Sequence, residues 1–275
     1  MPPLTMTNRS APVARGKFQA WTYPLSTFLL ATGFLFTLVM VVTRSAANWP
    51  ETLLLLLAAV STLVAATRQL PLQNVLLAAF IIAIVGGVAH TIGARGGIPF
   101  GPFMFGSEAG HKLFGTLPWA LPLLWLVMVL NSRGVGRLVL RPWRKTRTYG
   151  FWLIWLTALL TMLLDCALEP FATHVKHYWI WTSTGFPLTP QNGPISNSVG
   201  WFVVTLLMLA FVTPVLINKQ LSKRSRPDFH PLAVWLGAIL ISGLAVALHG
   251  FWLAAAVDAV IGGVVTGFAV RGARW

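Results

Sequence analysis

Long, unbroken apolar runs alternate along this chain with short polar or basic segments. Several of the runs approach the roughly 20 residues that carry a helix across a bilayer core. The pattern predicts eight spans, at about 24–43, 51–67, 72–92, 116–132, 149–168, 197–217, 232–248 and 251–270. The expected fold is all-α, a polytopic integral membrane helix bundle of about eight transmembrane helices. No fixed-period repeat is visible and no soluble domain interrupts the spans. Residues 1–20 read as a disordered basic cytoplasmic tail and 21–275 as a single transmembrane helical domain.

Two connections on one side are too long to be turns: GARGGIPFGPFMFGSEAGHKLFG (93–115) and the segment 169–196. Both are rich in Gly, Pro and aromatic residues, a composition that argues against disorder. They are expected to be structured outer loops folded back over the bundle, with aromatics at the interface or over a cavity.

Composition narrows the class. Only 9% of residues are charged, against about 25% in soluble domains. The net charge of +14 raises nucleic acid as a partner, but the placement of the charge answers it. The outer loops hold Arg44, Arg95, Lys112 and Lys176; the other 16 of the 20 Lys and Arg fall on the opposite side, most densely in RGVGRLVLRPWRKTR (133–147) and KQLSKR (219–224). That asymmetry predicts both termini in the cytoplasm, in the inner (plasma) membrane of the cell. It also predicts contact with anionic lipid headgroups rather than nucleic acid. The basic N-terminal stretch is too long for a cleavable signal peptide. Cys166 is the one cysteine, so an intramolecular disulfide is excluded.

The candidate chemistry is concentrated in LLDCALEPFATHVKHYWIW (163–181). Asp165 and Glu169, at i and i+4, share a helix face at the end of an apolar span. Carboxyls inside a membrane are costly and by default functional. Burial and a like neighbour are expected to keep one of them protonated, which suits proton donation to an alkene. The competing reading leaves Glu169 at the interface among waters and Asp165 bonded to a neighbouring helix. His174 and His177 have the spacing of metal ligands on a helix. One such pair among six histidines does not make a di-iron or bis-histidine haem site, and histidines bonded to backbone or carboxylate fit as well. No metal is expected. His90, Glu108, His111, His177 and His249 are predicted to gather at the outer ends of spans 3, 5 and 7. Asp258, two turns into span 8, either lines the cavity or pairs with another helix. The expected pocket is a long apolar cavity whose polar end is formed by spans 3, 5 and 8 and the two outer loops.

IPFGPFMF (98–105), LPWALPLLWLVM (117–128), DCALEPFATHVKHYWIW (165–181) and PISNSVGW (194–201) occur in an order and spacing that resemble the membrane carotenoid biosynthesis family. That family includes bisanhydrobacterioruberin hydratase and γ-carotene 1′-hydratase. The resemblance covers roughly residues 75–270. Asp165, Trp179, Trp181, Asn197, Gly200 and Trp201 match the family pattern. Phe103 and Phe105 replace its tyrosines, Glu169 its Asp before Pro, Ser198 a Phe, and His90 an acidic residue. The resemblance implies addition of water across the terminal double bond of an acyclic ψ end group, as in lycopene or γ-carotene, giving a tertiary alcohol. It implies no cofactor. Asp165 is then the proton donor, Glu169 its partner or the base that orients water, and Asn197 places the water. Trp179, Trp181 and Trp201, with Phe100, Phe103 and Phe105, line the polyene slot; His90, Glu108, His177, His249 and Asp258 stand behind. Other carotenoid-pathway or pigment-protein membrane partners fit the same setting. Two further readings stay open, a non-catalytic carotenoid- or lipid-binding subunit and a transporter, although the inverted repeats of a transporter are not evident.

Overall fold

The computed structural model describes residues 12–182, 193–217 and 226–275, with side chains from Ala20 onward. Among the described residues, eight α-helices occupy the eight predicted spans: α1 (Pro12–Val42), α2 (Trp49–Thr67), α3 (Leu72–Gly96), α4 (Leu121–Val139), α5 (Tyr149–Pro170), α6 (Ile195–Val212), α7 (His230–Leu248) and α8 (Trp252–Ala273). Helix α1 starts within the stretch expected as a tail; residues 1–11 of that tail and 183–192 of the second loop lie outside the described residues. Pro50, Pro122 and Pro231 sit in the first turns of α2, α4 and α7, where a missing N–H and a fixed φ do no harm. Helix α3 ends at Gly97, whose φ of 75° closes the last turn in the left-handed conformation.

Among the described residues, seven helices are long and apolar enough to cross a membrane, and the chain is a polytopic membrane protein. Helix α4 falls short of that standard because Asn131, Arg133 and Arg137 occupy its second half. Its position explains how it carries them. It packs against α2, α3, α5, α7 and α8, so protein rather than lipid surrounds most of it. It also begins at Leu121 rather than near 116, since Leu117–Pro118 pair as a short strand.

Small residues let α4 approach its neighbours closely. A Cβ on Gly134 would collide with the Pro231 ring of α7, and one on Gly272 of α8 with the Leu138 carbonyl oxygen. Backbone cannot step aside as a side chain can, so Gly272→Ala is expected to part α8 from α4. Overpacking of this kind typically costs about 1–3 kcal/mol. Thermal unfolding in detergent should show the loss, while Gly263→Ala, where a Cβ meets nothing within 4 Å, should leave the midpoint unchanged.

Among the described residues, two antiparallel ribbons close one end of the bundle, the loop-rich end. Strand β1 (Phe103–Phe105) of the α3–α4 loop pairs with β4 (Trp179–Trp181) of the α5–α6 loop, matching Phe103 with Trp181 and Phe105 with Trp179. Strands β2 (Lys112–Leu113) and β3 (Leu117–Pro118) form the second ribbon. Strand side chains alternate between faces. Phe103 and Phe105 are therefore buried over the helices, while Met104 and Ile180 face outward.

Candidate active site

Helix α5 delivers two carboxyls to one place. Asp165 and Glu169 are each 2% exposed, so neither faces lipid. Helix α6 starts after Pro194 and packs on α5, which sets Asn197 of its first turn against both acids. Asn197 Nδ2 donates to Asp165 Oδ2 at 2.9 Å and to Glu169 Oε2 at 3.3 Å. The β1–β4 ribbon supplies the other donors. The Trp179 indole N–H lies 3.2 Å and 3.3 Å from the two oxygens of Glu169, and the Trp181 N–H bonds Glu169 Oε1. Glu169 thus accepts from three side chains and Asp165 from one, and among the described residues neither has an ion-pair partner. Beside the pair, Cys166 Sγ lies 3.3 Å from Ser198 Oγ.

An aromatic box adjoins this cluster. His90 of α3 is buried with ring centroids of Phe100 at 4.1 Å, Trp201 at 5.3 Å and Trp125 at 5.6 Å. Trp125 stacks on Trp201 at 3.8 Å and donates its N–H to His90 Nδ1 at 3.0 Å. With Nδ1 accepting, the proton of the neutral ring belongs on Nε2. Phe103 joins the two groups, lying 6.1 Å from His90 and 5.5 Å from Trp181. Trp125 escaped the sequence reading: it sits in the proline-flanked LPWALPLLWLVM segment, but nothing in that segment says which of its tryptophans turns inward.

The remaining candidates lie elsewhere. Glu108 sits on the exposed turn after β1, bonded by Asn48 and Ser107. His177 does not share a helix face with His174. Past Pro170 the chain widens into a π-turn (Phe171–Val175), and His177 has a φ of 53°. Its Nδ1 meets the Thr173 carbonyl at 2.8 Å, whereas His174 stacks on Phe251. His249 bonds the Ala245 carbonyl. It shares with Arg44, Glu108 and His177 a smaller cavity of about 430 Å³. Asp258 packs against Gly243 and Ser242 of α7. Among the described residues no group of three or more His, Cys, Asp or Glu is placed to hold a metal.

The large cavity, about 1070 Å³, also departs from expectation. It runs between α1, α2, α4, α5 and α7, and no residue of α3 or α8 lines it. Leu164 and Leu168 of α5 face the cavity, whereas Asp165 and Glu169, one residue on and about 100° round the helix, face α6. Of the expected lining residues only Phe105 and Trp179 reach it; Phe100, Phe103, Trp181 and Trp201 are packed on the far side of that wall. Trp179 therefore belongs to both places, with its ring on the cavity and its N–H on Glu169.

The loop-rich mouth of the cavity carries Asn48, Glu51, Glu108 and Tyr178. Lys176 pairs with Glu51 at 2.8 Å and donates to the Ala47 carbonyl at 2.7 Å. Burial, followed by the charges of Glu51 and Glu108, pushes the Tyr178 phenol up, so it stays a neutral hydroxyl.

The model for carotenoid biosynthesis proteins matches residues 50–265, which takes in α2 to α7, most of α8 and both outer loops. The chain belongs to that family. A curated relative, the bisanhydrobacterioruberin hydratase of Haloarcula japonica, is 31% identical over 124 residues. That alignment covers 44% of this chain and 39% of the relative, well under two thirds of the hydratase. No solved structure matches the chain. Family membership makes carotenoid biosynthesis the setting in which the buried acid pair and the apolar cavity are to be understood.

Proposed function

We propose that this family member hydrates the terminal double bond of an acyclic carotenoid end group. The observation that carries the reading is the bridge of Asn197 between Asp165 and Glu169, joined to the apolar cavity through Trp179. Two carboxyls in one dry site hold a proton between them more readily than two charges. The three N–H donors favour the ionised form at Glu169, which leaves the shared proton on Asp165. In the reaction, the alkene π pair takes that proton at the less substituted carbon, leaving a tertiary cation. The π faces of Trp179 and Trp181 stabilise the cation. Water adds through its oxygen, its surplus proton passes to the Glu169 carboxylate, and the pair is again singly protonated. Alkene and water have become a tertiary alcohol, with no redox change.

The polyene would lie in the cavity with its end at Trp179. Because that indole separates the cavity from Glu169, reaction requires the β1–β4 ribbon to shift. The same wall is the observation that favours a second reading, a carotenoid-binding subunit without catalysis. Incubating the purified protein with lycopene separates them: hydration yields a product heavier by one water, and the binding subunit returns lycopene unchanged.

The reading places the chain in the inner (plasma) membrane with the basic end in the cytoplasm. A reporter fused after Trp275 is expected to be active in the cytoplasm; activity only on the other side would reverse the orientation.

A further inference from the structure

The large cavity has two kinds of edge. At the loop-rich end its exposed lining residues are Trp49, Glu108 and Gly110. Along the spans they are Ala31 and Leu35 of α1 with Ala233 and Leu240 of α7, so these four border the cavity and face lipid at once. Past Trp49, the lining residues of α2, α4 and α5 are buried or half-buried, which closes the cavity on those sides.

Helix geometry locates the open side. Leu35 and Leu240 are 60% and 59% exposed, whereas Val234 and Ile241 are 8% and 4% exposed. Val234 follows Ala233 in sequence and Ile241 follows Leu240. Successive residues turn about 100° round a helix, so Ala233 and Leu240 form an outer lip and Val234 and Ile241 the cavity wall behind it. Gly237 lies between lip and wall, and there α1 touches α7: a Cβ on Gly237 would meet the Phe34 ring at 3.3 Å. An aromatic ring over a glycine thus stands between the cavity and the bilayer. Gly237 is about 10 Å from the start of α7 and about 16 Å from its end, near mid-depth of a hydrocarbon core roughly 30 Å thick.

Helix α1 is anchored on its other side. Gly33 lets it close on Leu57 of α2, and Thr37 Oγ1 donates to the Pro50 carbonyl at 3.2 Å. Toward α7 it offers the Tyr23 ring, 5.9 Å from that of His230 near the end remote from the loops, and the Phe34 ring farther along. A phenylalanine ring makes no hydrogen bond to break when it turns away.

We propose that the α1–α7 seam is a lateral gateway, with Phe34 over Gly237 as its gate, through which a long apolar ligand passes directly from the bilayer core into the cavity. The other route is the loop-rich mouth, which carries Glu108 and the Glu51–Lys176 pair. A hydrocarbon chain taking it would first leave the bilayer core and give its apolar surface to water. That the ligand is a polyene rests on the reading above; the gateway does not.

The test is the order in which the seam is closed and the ligand supplied. In a Cys166→Ser chain in phosphatidylcholine vesicles, Phe34→Cys and Gly237→Cys are bridged by a short bifunctional methanethiosulfonate, which a reductant releases. Bridged before lycopene enters the bilayer, the protein is expected to carry none after purification. Bridged afterwards, it should keep lycopene through a detergent wash that strips the unbridged protein. Reduction should restore loading in the first case. Gly33→Cys with Leu57→Cys, bridged in the same way, ties α1 to α2 and should leave loading unchanged. Gly237→Leu, which fills the seam without a reagent, should slow loading. Equal loading whichever step comes first would send the ligand through the loop-rich mouth and overturn the proposal. Diphenylhexatriene, a rod-like apolar fluorophore carried in the bilayer core, repeats the experiment without assuming a carotenoid. A protein that retains neither probe overturns the gateway. One that loads lycopene through the seam and returns it unhydrated upholds the gateway and refutes only the hydration.

Discussion

Asp165→Asn is expected to abolish hydration of lycopene in a protein that still folds and still binds the polyene. Asparagine keeps the size of the side chain and can still accept the Asn197 N–H that now meets Asp165 Oδ2. What it lacks is a transferable proton. General acid catalysis typically contributes about 10²–10⁴-fold, so turnover should fall by about a thousandfold with little change in polyene affinity. Glu169→Gln should behave differently. Its amide would set an NH2 against the Asn197 or indole N–H groups, which now find acceptors on both carboxylate oxygens. A smaller loss of rate accompanied by a loss of stability is therefore expected. Parental turnover by Asp165→Asn would remove the acid from this cluster and point to the carboxyls on the cavity itself, Glu51 and Glu108.

The largest effect on stability is expected away from the acids, at Lys176→Met. The Lys176–Glu51 pair ties the loop after α5 to the first turn of α2, with side chains only 8% and 12% exposed. Removing the ammonium strands the Glu51 carboxylate and frees the Ala47 carbonyl as well. Breaking a buried pair on one side costs about 3–5 kcal/mol, because an uncompensated charge remains. Replacing both partners need not, since an apolar pair of similar volume leaves no charge behind. The double variant Lys176→Met, Glu51→Leu should therefore recover most of the stability lost by Lys176→Met alone. Thermal unfolding of the two variants and the parent in one detergent checks this, and additive losses would show that the pair is not coupled.

The spans could be read from the chain because an apolar run of bilayer length has few alternatives to a helix. The pairing of Asp165 with Glu169 was legible for the same reason, since i, i+4 spacing fixes a shared face. Spacing does not say which neighbour that face meets. Leu164 and Leu168 differ from the acids by one position yet look into the cavity, and only the packing of α6 on α5 decides between them. The expected wall of α3 and α8 failed on this rotation. Glu108 and His249 stand at the same loop-rich end and share the smaller cavity, but a common depth in the membrane does not carry them to Asp165 and Glu169. The Glu51–Lys176 pair joins residues far apart in sequence, one in the first turn of α2 and one beyond α5. No local pattern marks such a contact.

A bundle with one thiol is an unusually clean object for labelling. Cys166 lies half-buried beside Ser198. A Cys166→Ser chain would have no other cysteine. Met104, 54% exposed on the outward side of the β1–β4 ribbon, could then receive the only reactive sulfur. A spin or fluorescent label there would sit on the strand paired with the one that carries both indoles, yet on its opposite face from the acids. Its signal would record whether the ribbon lifts when a polyene arrives, independently of any product being formed.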